Sequence, residues 1–210
     1  MNQLLIATTN PGKLADFKQF LSDLPLELVS LKDLNIDQSV EETGRTFEEN
    51  AILKAKFYYQ ITGLITLADD GGFEIDALNG EPGVKSHRWV DPNRETEDEE
   101  LIAFTIEQMK SIPMEKRNAQ LRLVLALASP DGKIETVEEL ARGIVPLNAG
   151  THRTKGYPFR SLLFIPEINK FYDHSQMTQD EINKYDHRKR AVEKLKPIIQ
   201  KWLTDDTIGL

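Results

Sequence analysis

The sequence contains no cysteine, which excludes disulfides, thiol catalysis and cysteine-based zinc sites. It has no apolar run near the ~20 residues that a membrane span needs. Its first residues, Met1-Asn2-Gln3-Leu4-Leu5-Ile6, lack the basic region and long apolar stretch of a secretory signal. A cytoplasmic protein with no membrane contact is expected. A basic excess is missing too: 26 lysines and arginines stand against 34 aspartates and glutamates, a net charge of −8. A sequence-independent nucleic-acid binder carries a basic footprint, so no nucleic-acid partner is expected. A small anionic substrate is not excluded, because its site can be locally basic or can offset charge with a metal. No repeat, low-complexity tract or linker interrupts the 210 residues. One domain spanning 1–210 is expected, with core enough to stand without staples.

Hydrophobic periodicity places a buried strand at Gln3–Ala7, a helix at Lys13–Leu21 and a second strand at Leu26–Val29. Residues 30–45 are polar and read as a loop. Thr46-Phe47-Glu48-Glu49 is a capping box opening a helix to about Ile61. Leu64–Ala68 reads as a strand, Asp69-Asp70-Gly71-Gly72 as punctuation, and Phe73–Asp76 as a strand again. Pro82–Asp91 is a loop, and Thr96-Glu97-Asp98-Glu99 a second capping box for a helix to about Lys110. Gln120–Ser129 and Ile134–Val145 flank the turn Pro130-Asp131-Gly132-Lys133. A short strand at Leu162–Ile165 and a helix from His187 to Leu203, with Asp186 as N-cap, complete the chain. This order predicts an α/β fold with a mixed, elongated central sheet and flanking helices.

Thr8-Thr9-Asn10-Pro11-Gly12-Lys13 joins a strand to a helix start. Free backbone N–H groups and the positive end of the helix dipole favour a phosphate there, and Lys13 adds a point charge. Read plainly, the same residues are a well-capped turn, and the spacing is not that of a Walker A loop. Asp69 and Asp70 can bind a hard cation or orient a water. Adjacent strand residues point to opposite sides, but a turn at a strand end can bring both carboxylates to one cleft. The rival reading is a simple tight turn, since Asp-Gly is a common hairpin signal. Glu41-Glu42-Thr43-Gly44 adds carboxylates, with Asn50 and Lys54 on the helix behind. A charge run of this kind is otherwise a solvated face. His187-Arg188 and Ser86-His87-Arg88 offer donors for a base edge or a phosphate. His152 and His174 lack metal-ligand spacing and are expected at the surface. There is no nucleophile elbow and no EF-hand pattern.

In order along the chain, three blocks together resemble the inosine/xanthosine triphosphate pyrophosphatases, house-cleaning enzymes for deaminated purine nucleotides. They are Ala7–Lys13, then Glu41–Gly44 with Thr46–Ala51 and Lys54-Ala55, then Ala68–Ser86. The likeness is close over 4–88, thinner in the middle, and resumes at His187-Arg188. It implies two lobes around a substrate cleft, a homodimer, and a nucleoside triphosphate cleaved with Mg²⁺ to monophosphate and pyrophosphate. It implies that Thr8, Asn10 and Lys13 hold the triphosphate and that Glu42 and Asp69 help bind magnesium. Asp70 would sit by the metal and accept the proton of the attacking water. His187 and Arg188 would face the base. The full substrate set expected on this basis is Thr8, Thr9, Asn10, Lys13, Asn50, Lys54, Gly71, Ser86, Arg88, Tyr157, Phe159, Arg160, His187 and Arg188.

Three positions depart from the family pattern. Gly71 stands where relatives carry a hydroxyl. Tyr157-Pro158-Phe159-Arg160-Ser161, placed by counting back from Phe164-Ile165-Pro166, stands where relatives carry Phe-Gly-Tyr/Trp-Asp-Pro. Ile182 stands where a lysine is expected, with Lys184 nearby as a substitute. The phosphate end matches the family and the base-reading end does not. These residues therefore support hydrolysis better than purine specificity. With the family resemblance, the leading reading is pyrophosphohydrolysis of ITP, dITP or XTP. The alternatives are the same chemistry on another modified or pyrimidine nucleotide, and a nucleotide-binding protein with little turnover.

Overall fold

The structure, a computed structural model, describes residues 3–129 and 131–205. Seven strands form a mixed sheet in the order β2-β1-β3-β4-β5-β6-β7. β1 (Gln3–Ala7) is parallel to both its neighbours, β2 (Glu27–Ser30) and β3 (Ile65–Ile75). β4 (Asn118–Ala128) lies next to β5 (Ile134–Ile144). β5 pairs antiparallel with β6 (Phe164–Ile165), and β6 with β7 (Lys170–Phe171). The helices are α1 (Pro11–Phe20), α2 (Phe47–Thr62), α3 (Asp98–Gln108), α4 (Gln179–Tyr185) and α5 (His187–Asp205). The mixed α/β class is the one expected. No described helix is long and apolar enough to cross a membrane.

The chain divides into two compact units: Met1–Asp70 with Leu123–Glu139 and Arg188–Leu210, and Gly71–Arg122 with Leu140–His187. In the first unit, β1 feeds two cores because successive strand side chains point to opposite faces. Leu4 and Ile6 pack with Phe17 of α1 and Val192 and Leu195 of α5. Leu5 and Ala7 pack with Ala51 and Ala55 of α2. β4 alternates the same way, Leu123, Leu125 and Leu127 on one side, Val124, Ala126 and Ala128 on the other. A strand covered on both faces reads as an unbroken apolar run, and both strands do. In the second unit Phe73, Ile75, Leu101, Leu162 and Tyr172 belong to one core. Beside it lies Arg117, only 1% exposed, bonded to backbone carbonyls alone among its described partners.

Local chemistry explains the helix starts. Asn10 caps α1, its Oδ1 accepting from the N–H groups of Gly12 (2.9 Å) and Lys13 (3.2 Å), and Pro11 sits where no N–H is needed. Thr46 caps α2 by accepting from Glu49 N–H at 3.1 Å. The expected capping box is half formed, since Glu49 accepts from Arg45 N–H at 2.6 Å. α2 ends at Gly63 with φ of 68°, a left-handed position that glycine takes without a Cβ penalty.

Four expectations need correction. The Asp69–Gly72 segment is no turn: β3 runs unbroken from Ile65 to Ile75, carried by parallel pairing with β1 in its first half. The second capping box is absent. α3 starts at Asp98 without a side-chain cap, and Thr96 is buried with its N–H on the His87 carbonyl. Asp98, Glu99 and Glu100 place negative charge at the helix start instead, which suits its dipole. The strand expected at Leu162–Ile165 shrinks to Phe164–Ile165, preceded by a 3₁₀ turn at Pro158–Ser161. α4, opened by a Thr178–Glu181 capping box, was not anticipated. In the β4–β5 turn, Pro130 lies outside the described residues.

Candidate active site

The β1–α1 turn is built as a capped turn. Asn10 N–H donates to Thr8 Oγ1 at 3.2 Å, and Asn10 Oδ1 accepts from the first helical N–H groups, those of Gly12 and Lys13. Thr9 is exposed. Lys13, at the first turn of α1, reaches Asp69 Oδ2 at 2.7 Å. One turn further, Asp16 holds Arg188 Nη1 at 3.1 Å, and the Arg188 guanidinium also lies 5.9 Å from the Phe17 ring. Sequence reading named Lys13 and Arg188 but missed Asp16. Its spacing of three from Lys13 puts both on one helix face, a signal that was available.

Because β3 continues, Asp69 and Asp70 do not fold back to one side but alternate. Asp69 shares the parity of Ile65 and Leu67, members of the α1/α5 core, and it meets Lys13 of α1. Asp70 shares the parity of Ala68, a member of the α2 core, and it meets Lys54 of α2. Lys54 Nζ lies 3.4 Å from Asp70 Oδ1 and 3.0 Å from Glu42 Oε1. Asn50, 2% exposed, accepts from Gly44 N–H at 2.7 Å and so ties the Glu42 loop to α2. A Cβ on Gly44 would stand 2.5 Å from that same Asn50 oxygen, so only glycine allows the approach.

The electrostatics of the pair differ. Burial pushes Asp69 up, but Lys13, Lys54 and Arg188 together outweigh it and hold the carboxyl below its usual range. Burial dominates at Asp70 and, with Glu42 nearby, raises it against the pull of Lys54 and a hydrogen bond from Asn50. Asp70 Oδ2 is buried with no hydrogen-bond partner. Burial pulls Lys54 down, yet Asp70, Asp69 and Glu42 outweigh it and keep the ammonium charged. Three carboxylates thus share two ammonium groups. Among the described residues, no three acidic, histidine or cysteine side chains gather closely enough to hold a metal by themselves.

The second unit holds the other expected residues. His187, 5% exposed, has its Nδ1 2.8 Å from the Tyr172 hydroxyl. Asp186, fully buried, pairs with His174 Nε2 at 2.8 Å, so His174 is half-buried rather than on the surface. His152 is exposed, as expected, and pairs with Asp173 at 2.9 Å. Nothing in the residue order pointed to Tyr172. Ser86 accepts from Phe73 N–H at 3.1 Å and donates to Gly83 O at 2.7 Å, while Arg88 is exposed. Phe159 stacks on Phe73 with ring centroids 4.9 Å apart. Arg160, 9% exposed, lays its guanidinium 3.9 Å from the Tyr157 ring centroid. It borders a small pocket with His152, Thr154, Ser161, Phe171 and Asp173. Gly71 is half-buried at mid-strand, Ile182 half-buried on α4, and the Lys184 ammonium lies 4.9 Å from the Tyr185 ring.

Comparison with known proteins finds relatives along nearly the whole chain. Residues 4–198 match the Ham1 family. A dITP/XTP pyrophosphatase of Geobacter sulfurreducens is 39% identical over 196 residues, covering 93% of this chain and 96% of the relative. A dITP/XTP pyrophosphatase of Bacillus subtilis is 34% identical over 201 residues, covering 95% and 98%. The solved structure of a HAM1 protein from Coxiella burnetii superposes with a TM-score of 0.82 at 29% identity. It covers 96% of this chain and all of that one (100%).

Proposed function

The chain belongs to the Ham1 family, and from that premise we propose that it hydrolyses deaminated purine nucleoside triphosphates, ITP, dITP and XTP, to the monophosphate and pyrophosphate. One observation carries the reading: Asp69 and Asp70, both nearly buried, are each met by a lysine beside a strand-to-helix turn suited to phosphate. Residues of both signs at one point fit a substrate that brings its own negative charge together with a cation. The test is pyrophosphate release from ITP, XTP, GTP, UTP and ATP with and without Mg²⁺. Release that favours ITP and XTP supports the reading. Binding without release would leave a nucleotide-binding protein.

The donor set fits magnesium. Hard cations take oxygen ligands, and Asp70 has a buried oxygen with no protein partner. Glu42, Asp69 and Asp70 do not gather closely enough to hold the ion by themselves, so they would bind it only with the nucleotide present. When bound it would offset phosphate charge and lower the pKa of a water. Asp70, raised by burial, receives the proton of the attacking water. Thr8, Thr9, Asn10 and Lys13 bind the triphosphate, with Lys54 behind them, and a homodimer is the expected assembly. Lys13→Ala should weaken triphosphate binding ~10-fold or more while leaving bare nucleoside binding nearly unchanged, because the ammonium acts as a point charge for phosphate. Equal losses for both ligands by calorimetry would reduce Lys13 to a support for the fold.

For the base end, Arg160 with Tyr157 and Phe159, and His187 with Arg188, are the reading groups. A keto oxygen accepts only, and a guanidinium offers only donors. Arg160 is therefore matched to hypoxanthine, xanthine, guanine or uracil and mismatched to adenine. Its packing on Tyr157 and its place in the pocket favour base reading over a role at the phosphates. Arg160→Ala should change the rank order across the five nucleotides above. A uniform loss across all five would assign Arg160 to the phosphates.

A further inference from the structure

Each carboxylate of the first-unit site is occupied by a lysine. Lys13 Nζ sits 2.7 Å from Asp69, and Lys54 Nζ bridges Glu42 at 3.0 Å and Asp70 at 3.4 Å. Asp69 is 2% exposed and Asp70 8%, so the contacts to the two aspartates lie where solvent screening is weak, whereas Glu42 is exposed. A divalent cation cannot settle among these carboxylates, even at the unpartnered Asp70 Oδ2, without displacing the ammonium groups or bearing their repulsion. A free metal ion has nothing to offer the displaced lysines. A triphosphate does: its oxygens accept charge-assisted hydrogen bonds from lysine.

We propose that Lys13 and Lys54 are exchangeable counter-ions, which hold the carboxylates until a nucleotide takes the lysines and delivers its cation to the vacated oxygens. The inference rests on the proposed pyrophosphohydrolase reading and deepens it. The substrate is the divalent-cation complex of the nucleotide, and the nucleotide-free protein is not a resident metalloenzyme. Metal and nucleotide then bind with positive coupling, and linkage makes that coupling equal in both directions. The exchange moves ions only; no covalent bond forms or breaks.

The test is Mn²⁺ binding, read by the electron paramagnetic resonance of free Mn²⁺. The full chain is titrated alone and with the α,β-methylene analogue of ITP, subtracting Mn²⁺ held by the analogue itself. Wild-type protein should bind Mn²⁺ at least about tenfold more tightly with the analogue, a typical coupling. Lys13→Met and Lys54→Met should each tighten Mn²⁺ binding to the nucleotide-free protein by about tenfold, since each removes a cation beside buried carboxylates. Mn²⁺ binding equally tight with and without bound analogue would overturn the proposal. So would a pair of folded variants that bind Mn²⁺ no better than wild type. If Lys13→Met fails to fold with its buried aspartate unpaired, Lys54→Met and the wild-type titration decide. Failure of the analogue to bind at all would sink the pyrophosphohydrolase reading instead, and the lysine variants alone would then judge the counter-ion role.

Discussion

Asp70→Asn should lower the turnover number by ~10² or more, the usual loss when a general base is removed, while the fold and nucleotide binding persist. Asparagine has the shape of aspartate and keeps an acceptor oxygen toward Lys54, but it cannot take a proton. Asp70 is the better candidate of the two adjacent carboxylates because their surroundings differ. Asp69 is held ionised by Lys13, Lys54 and Arg188, which favours ligand over base. Asp70 is raised by its burial and keeps one oxygen without a partner. A carboxylate raised toward the working pH takes a proton more readily once ionised. Burial disfavours the charge at this position, so the neutral variant should melt no lower than wild type. The measurement is steady-state turnover at saturating nucleotide and metal, beside a melting curve. Near-normal turnover would remove Asp70 from the mechanism.

Much of this arrangement was legible in the residue order, for physical reasons. The helix starts at Asn10 and Thr46 declare themselves because a cap needs a short polar acceptor at one fixed offset. The buried runs Leu4–Ala7 of β1 and Leu123–Ala128 of β4 declare themselves because two covered faces leave no polar position there. Asp69-Asp70-Gly71-Gly72 misled for the converse reason. Asp-Gly is good turn chemistry locally, and it is the place of β3 inside the sheet, between β1 and β4, that keeps the segment extended. The family resemblance pointed to Glu42, Asp69 and Asp70, yet it could not show that lysines hold them. Lys13–Asp69 spans 56 residues, and Lys54–Glu42 joins a helix to a loop without periodicity. Such partners are set by the fold, as are Tyr172 against His187 and Asp186 against His174. Asp16 is different: its position one turn along α1 from Lys13 was readable.

Arg117→Met should cost about 3–5 kcal/mol of stability, the scale for breaking a buried, fully bonded charge. Arg117 was invisible in the sequence, one arginine before a strand. In the structure its Nε donates to Val145 O at 2.6 Å and its Nη2 to Pro146 O at 2.7 Å. Its Nη1 donates to Met109 O at 2.5 Å and to Ile112 O at 3.2 Å. Those carbonyls belong to the end of α3, the turn after it and the end of β5. One planar fork therefore joins three segments of the second unit. Burial lowers its pKa, yet a guanidinium keeps its proton in proteins, so the donors remain in place. Methionine fills a similar volume and removes every donor. Met109 O keeps its bond from Ile112 N–H, but the oxygens of Ile112, Val145 and Pro146 lose the donor that the fork supplies. Arg117→Lys should recover only part of the loss, because one ammonium cannot reach carbonyls spread around a flat fork. Urea unfolding gives the comparison, with Met well below Lys and Lys below wild type. Kinetic constants below the melting range should stay near wild type, since none of these bonds involves a residue proposed to meet the nucleotide. A loss under about 1 kcal/mol in the methionine variant, the size of one ordinary hydrogen bond, would mean that the carbonyls find other donors.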